Sequence, residues 1–148
     1  MIYTNKTKQA MRISYEAHKG QYDRGGIPYV FHPFSVANKM DDEESTILAL
    51  LHDVIEDTDT TISDLRSEGI SESILEALQL LTKGKSEDYF HYIDRLKNNP
   101  LAIKVKLADL EHNSKTSRLS SVGIADKNRL EKYKKARKIL LTELESLQ

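Results

Sequence analysis

The chain has no cysteine among its 148 residues. Disulfides, thiolate nucleophiles and thiolate-held zinc are therefore excluded, and a reducing compartment is the natural setting. An excess of charge of one sign is also missing. There are 22 basic residues against 23 acidic ones, a formal net charge of −1. That balance argues against a surface built for nucleic acid and leaves room only for a local basic pocket. No apolar run approaches the roughly 20 residues needed to span a bilayer. The opening Met1-Ile2-Tyr3-Thr4-Asn5-Lys6 lacks the apolar centre of a secretion signal. Repeats, low-complexity tracts and alternating strand patterns are absent as well. These absences lead us to expect a soluble, cytoplasmic protein forming one domain over residues 1–148, large enough for a single core. Its partner is then a small molecule rather than a membrane or a nucleic acid. The oligomeric state is not readable from the sequence.

Helical periodicity fills most of the chain. The spacing predicts a first helix over residues 5–18, with Gly20 near its C-terminal cap. Residues 20–28 hold three glycines and a proline and read as a loop. His32-Pro33 opens a second helix, with Pro33 in its first turn. A third starts at Glu44 or Ser45, runs through Ile47-Leu48-Ala49-Leu50-Leu51 and carries a histidine–carboxylate cluster at its C-terminal end. Thr58-Asp59-Thr60-Thr61 then turns and caps a short helix that stops near Gly69. Ser71 caps a helix with Ile74, Leu75, Leu78 and Leu81 on one face, and Ser86 starts another reaching Leu96. Helices over residues 104–113 and 126–147 complete the series, the last turning Leu130, Tyr133, Ile139, Leu140, Leu144 and Leu147 to the core. The expected fold is an all-α orthogonal bundle of about seven to nine helices.

The stretch Leu51-His52-Asp53-Val54-Ile55-Glu56-Asp57-Thr58 concentrates the chemistry. Residues four apart share a helix face, so a continuous helix stacks His52 with Glu56 and Asp53 with Asp57. Carboxylates crowded in this way repel one another unless a cation lies among them. Imidazole beside carboxylate suggests a metal site, and spare carboxylates next to a metal suggest hydrolysis. Acidic groups at a helix C-terminus also oppose its dipole. Such a placement is better explained by function than by folding.

Two further segments join this cluster: Gly26-Ile27-Pro28-Tyr29-Val30-Phe31-His32-Pro33 upstream and Val105-Lys106-Leu107-Ala108-Asp109-Leu110-Glu111-His112-Asn113 downstream. Ala17-His18-Lys19-Gly20-Gln21-Tyr22 adds a fourth motif. Taken together over residues 5–140, these motifs resemble the RelA/SpoT-type hydrolase domain of the HD phosphohydrolase superfamily, and most nearly its small stand-alone, metazoan SpoT homologue-like form. The set is specific, whereas a bare His-Asp pair is not.

The resemblance implies an HD-domain helical bundle that removes the 3′-pyrophosphate of guanosine tetraphosphate (ppGpp) or its pentaphosphate, the alarmones of the stringent response. The products are GDP or GTP and pyrophosphate. A chain of this length has no room for a synthetase domain, so degradation without synthesis is the expectation. The implied metal ligands are His32, His52, Asp53 and Asp109, and the implied metal is Mn²⁺. Two imidazoles with two carboxylates suit any divalent transition metal. Glu56 and Asp57 are the implied catalytic carboxylates, steering water and taking its proton. Asn113 shares a face with Asp109 and is implied to hold the sugar region. Lys106 is read two ways, as a phosphate-neutralising cation or as a snorkelling surface lysine. Tyr133 either touches base or phosphate or is a core tyrosine. His112, His18 and His91 are read as structural or exposed.

Asp23-Arg24 stands where the family carries two basic residues. Arg24 keeps a guanidinium able to stack on a base, while Asp23 sets negative charge near a polyanion. Two other readings remain. One is an HD-type phosphohydrolase for another nucleotide, and the other is a non-catalytic nucleotide-binding module.

Overall fold

A computed structural model of the chain describes residues 1–115 and 123–148. Among the described residues lie nine helices: α1 (Asn5–Ala17), α2 (Phe31–Ala37), α3 (Glu43–Leu51), α4 (Val54–Asp57), α5 (Ile62–Ser67), α6 (Glu72–Leu81), α7 (Tyr89–Arg95), α8 (Pro100–Asn113) and α9 (Ile124–Ser146). No strand forms among them, only an isolated bridge between Tyr22 and Pro28. The all-α fold expected from the periodicity is the fold observed. Among the described residues, no helix is long and apolar enough to cross a membrane.

The centre of the bundle is α3. Asp42 caps it by accepting the Ser45 N–H at 2.7 Å, and seven of its nine residues, Ser45 through Leu51, are buried. A helix with no polar face must be enclosed on all sides, and α3 packs on α1, α2, α6 and α8. Leu48, Leu50 and Leu51 are completely buried. Each such leucine contributes about 1.5–3 kcal/mol relative to exposure, so the element that delivers His52 to the site is also among the most firmly held. His32, on α2, and Asp109, on α8, come from two of the helices that enclose it.

The loop after α1 is built by its glycines and one aspartate. Gly20 and Gly26 sit at φ +85° and +83°, a region that side chains with a Cβ avoid. Asp23 Oδ1 accepts the N–H of Gly25 at 2.8 Å and of Ile27 at 3.0 Å. The Asp23 N–H in turn donates to Ile27 O at 2.8 Å. This is a side-chain-stabilised turn rather than a loose connection.

Three boundaries move from their expected places, each because of a cap. Helix α7 starts after Asp88, whose carboxylate accepts the N–H groups of Phe90 and His91, both at 3.1 Å, rather than at Ser86. Helix α8 starts four residues before 104. Asn99 Oδ1 accepts the Ala102 N–H at 3.0 Å, and Pro100 occupies the first turn, where a missing N–H costs nothing. At the other end of the chain Leu147 caps α9 and is 44% exposed, so it is not a core residue.

The expected third helix is in fact two. The His52 N–H reaches only Ala49 O, at 3.5 Å, and Asp53 has φ −104° and ψ −2°, at the shallow edge of the helical region. The chain turns there and restarts as the single turn α4. Glu56 and Asp57 therefore do not close a long helix against its dipole. They lie in a short turn of their own, which four residues cannot stabilise alone.

Candidate metal centre

The break at His52-Asp53 sets both side chains toward the middle of the bundle. His52 Nδ1–H donates to Ala49 O at 2.6 Å, since a carbonyl only accepts. That bond turns Nε2 inward, 3.1 Å from Asp53 Oδ2 and 3.2 Å from Asp109 Oδ1. His32 Nε2 lies 2.8 Å from Asp109 Oδ1 and 3.5 Å from Asp53 Oδ2. The ligand atoms of His32, His52, Asp53 and Asp109 all fall within 4.8 Å of one another. A cation about 2.1 Å from each of two neighbouring donors sets those donors roughly 3.0–3.4 Å apart. The observed spacings bracket that range, so the four residues fit a divalent ion with coordination positions to spare.

Each donor is also held from behind, as metal ligands require. With Nε2 facing the cluster, His32 Nδ1 is hydrogen-bonded to His112 Nδ1 at 2.7 Å. Tyr29 donates its O–H to Asp53 Oδ2 at 2.6 Å. Asp109 Oδ1 accepts from Asn113 Nδ2 at 3.0 Å, and its Oδ2 accepts from Lys106 Nζ at 2.8 Å. Electrostatics follow this geometry. Burial works against charge on Asp109, but the Lys106 ammonium and the two imidazoles outweigh it and hold the carboxyl far below its usual range. Burial likewise opposes charge on His52, yet Asp53 and Asp109 keep the imidazole well above its ordinary pKa. Asp53, against its own desolvation, is drawn down to about 2 by His52. The cluster thus attracts positive charge, whether a proton or a metal ion, at one point.

Glu56 and Asp57 stand at the rim. Both residues are exposed overall, but the wall around their carboxyl groups desolvates them, and the Asp53 charge adds to the effect, so both pKa values are raised. Glu56 Oε1 accepts the backbone N–H of Lys83 at 2.8 Å. Neither carboxylate belongs to the ligand group.

The cluster opens into a cavity of about 190 Å³ lined also by Glu56, Asp57, Lys83, Tyr89, Tyr92 and Lys106. Tyr29, Asn113 and Tyr133 form a wall it shares with a second cavity of about 300 Å³, whose other sides are Asp23, Arg24, Gly25, Lys115 and Arg129. Every residue given a metal, catalytic or substrate role from the sequence therefore lines one of the two cavities or, in the case of His32, belongs to the ligand cluster. Lys106 is not a snorkelling surface lysine. Its side chain is 11% exposed and its ammonium lies 5.1 Å from the centre of the Tyr92 ring. Tyr133 is half-buried, with its ring 6.3 Å from that of Tyr89. His112 is buried against His32, and His91 is exposed on Glu87.

Two contributors had no assigned role in the sequence reading. Tyr29 was part of a quoted motif, but its bond to Asp53 needed the fold. Asp126 is buried and accepts from both Arg24 and Arg129 as well as from the Gly123 N–H at 3.0 Å. It ties the loop after α1 to the start of α9. No local pattern marks it, since its partner Arg24 lies 102 positions away.

Comparisons with known proteins agree with this geometry. No family model matches the chain. A guanosine-3′,5′-bis(diphosphate) 3′-pyrophosphohydrolase of Aquifex aeolicus is 34% identical over 126 residues, covering 77% of this chain and 18% of the relative. The bifunctional (p)ppGpp synthase/hydrolase SpoT of Escherichia coli K12 is 34% identical over 127 residues, covering 75% of this chain and 18% of the relative. The chain thus spans about a fifth of the length of these curated relatives. Among solved structures, a metazoan ortholog of SpoT described as hydrolysing ppGpp superposes with a TM-score of 0.76. The match is at 20% identity and covers 99% of this chain and 95% of the other. That likeness establishes a shared helical fold.

Proposed function

We infer that this chain, which belongs to the RelA/SpoT-type HD domains, hydrolyses the 3′-pyrophosphate of (p)ppGpp, with residues 1–148 acting as one catalytic domain and Mn²⁺ as its metal. The observation that carries this reading is the convergence of four ligand atoms under two carboxylates, in a cavity that continues into one edged by Arg24, Lys115 and Arg129. A substrate with phosphate groups at two ends needs both halves. The relatives named for (p)ppGpp hydrolysis supply the substrate class.

When bound at His32, His52, Asp53 and Asp109, a divalent cation supplies positive charge that polarises a phosphoryl oxygen and acidifies nearby water. The chain's own groups do the rest. Glu56 and Asp57, their pKa values raised by burial and by the Asp53 charge, orient the attacking water and take its proton. The water oxygen bonds to the phosphorus attached to O3′. The P–O3′ bond breaks, O3′ leaves as a hydroxyl after gaining a proton, and pyrophosphate departs. Lys106, fixed on Asp109, sets a buried positive charge beside the phosphates. Asn113 and Tyr133, on the shared wall, hold the sugar region between the two cavities, and Arg24 faces the base.

Incubating purified protein with ppGpp and Mn²⁺ and separating the products by anion exchange tests this reading. GDP and pyrophosphate are the expected products. Unchanged ppGpp from folded, metal-loaded protein overturns it. The second reading, an HD phosphohydrolase for another nucleotide, draws on Asp23, an acidic group on the wall of the larger cavity. A nucleotide panel without preference for guanosine 3′-pyrophosphates selects it.

A further inference from the structure

The single turn α4 carries both proposed catalytic carboxylates and has no side-chain cap at its start. One isolated turn is far too short to persist without outside support. Its position must therefore be set by what reaches in from elsewhere. At Glu56 the support is the Lys83 N–H. At the next residue it is Gln21, whose Nε2–H donates to the backbone oxygen of Asp57 at 2.9 Å, a terminal carbonyl that the helix itself cannot satisfy.

Gln21 is itself held in place. Because the Asp57 carbonyl only accepts, the carboxamide must present its nitrogen there and its oxygen elsewhere. The oxygen accepts from His18 Nδ1–H at 2.9 Å. His18 is 1% exposed and caps the end of α1, and its ring lies 5.1 Å from that of Tyr29, the residue that bonds Asp53. The histidine's other nitrogen, Nε2, is buried without a hydrogen-bond partner among the described residues. A buried polar atom left unpaired is a cost to folding that an apolar residue would avoid. Keeping a histidine there is explained if its Nδ1–H has a task that an apolar residue cannot perform.

We propose that His18 and Gln21 form a positioning relay that fixes α4, and with it the Asp57 carboxylate, over the metal cluster. His18 locks the amide of Gln21, and Gln21 locks the Asp57 carbonyl. Neither residue touches substrate or metal. The proposal rests on the reading of Asp57 as a catalytic carboxylate, and its consequence is specific: losing the relay misplaces the proton acceptor while leaving the ligands and the substrate walls in place.

His18→Leu and Gln21→Ala, singly and together, provide the test. Each single variant is expected to lower kcat by about tenfold, the scale of a modest misplacement of a reacting group. KM, Mn²⁺ affinity measured by direct titration, and Tm should all stay close to wild type. The double variant should be no worse than either single one, because the relay fails as a unit. His18→Asn, which can offer an N–H to Gln21, should recover part of the loss. Losses that multiply in the double variant, a parallel fall in Mn²⁺ affinity, or full activity in both singles overturns the relay. Amide hydrogen exchange gives an answer independent of the substrate. Gln21→Ala should speed exchange of the Asp57 N–H, which donates to Asp53 O, and unchanged exchange there sinks the proposal even if the wild type proves inactive on ppGpp. An inactive wild type with faster exchange in the variant would instead count against the proposed reaction alone.

Discussion

The two cavities share one wall of Tyr29, Asn113 and Tyr133 but are built on opposite principles. Around the smaller, the side chains of the candidate metal cluster have their positions dictated by neighbours. His52 is oriented by Ala49 O, Asp53 by Tyr29 and Asp109 by Lys106 and Asn113. Around the larger, three of the lining side chains are the cations Arg24, Lys115 and Arg129, and Arg24 is 58% exposed even with its bond to Asp126. The difference teaches that rigidity is concentrated at the cluster proposed to carry the chemistry, while the cavity proposed to recognise the ligand is walled by longer, more exposed side chains. Mutations on the two sides should therefore fail differently, the first in turnover and the second in affinity.

The largest effect falls on the rigid side. Asp53→Ala removes a ligand and leaves the Tyr29 O–H without its acceptor. It should abolish detectable turnover, a drop of about a thousandfold or more, because several kcal/mol of charge stabilisation depend on the bound cation. Mn²⁺ titration should show weakened binding while far-UV circular dichroism is retained. Chelation of the wild type should give the same loss and be reversed by added metal. Turnover in a folded Asp53→Ala protein would refute the metal reading.

Next in size is Asp57→Asn. Loss of a proton acceptor costs about 10²–10⁴ in rate, and here KM and metal affinity should hold. The raised pKa of Asp57 adds a sign that can be checked. A carboxyl whose folded pKa lies above its unfolded value destabilises the fold when ionised, so that stability is gained as pH falls through the folded pKa and is lost again above it. At neutral pH the metal-free Asn variant should therefore melt above the wild type. Over the same interval wild-type kcat/KM should fall as pH is lowered, because the ionised form does the work. An unchanged or lower melting temperature would mean that Asp57 is not strained.

How much of this was readable beforehand follows the same division. His52, Asp53, Glu56 and Asp57 lie within six positions, and the metal centre needed only two distant additions, each beside a telling neighbour: His32 before Pro33, and Asp109 four residues before Asn113. Short spacings of this kind are visible in a linear pattern. The break between α3 and α4 was not, because nothing in the pattern says that Ala49 O bonds the His52 ring instead of continuing the ladder. Nor was the proposed anchor Asp126, whose partner Arg24 is remote in sequence and whose own surroundings look like any helix start. Helix boundaries slipped for a smaller reason of the same kind. Asp88 and Asn99 out-compete the flanking residues as caps, a choice made by local geometry.

The recognition side can be broken at that anchor. Asp126→Ala frees Arg24 and Arg129 together and unties the loop after α1 from α9. KM for ppGpp should rise by about fivefold to tenfold, in keeping with the modest worth of partly exposed ion pairs, while kcat stays within about twofold. A fall in kcat with unchanged KM would place Asp126 on the catalytic side and collapse the contrast between the cavities.

The smallest and sharpest effect concerns Asp23. Its negative charge lines the cavity proposed to take a polyanion, which argues that it weakens binding. Its Oδ1, however, accepts two backbone N–H groups and shapes the loop that carries Arg24, which argues that it helps. The two roles separate by substitution. Asp23→Asn removes the charge and keeps an acceptor oxygen, so KM should fall by about twofold to threefold, the effect of one partly screened charge. Asp23→Ala removes both, so the turn loosens and KM should rise instead. Opposite shifts in the two variants would show that the acidic residue is retained for the loop's shape at some cost in attraction. Parallel decreases would show that charge alone matters, and that restoring a basic residue at position 23 is a simple route to tighter binding.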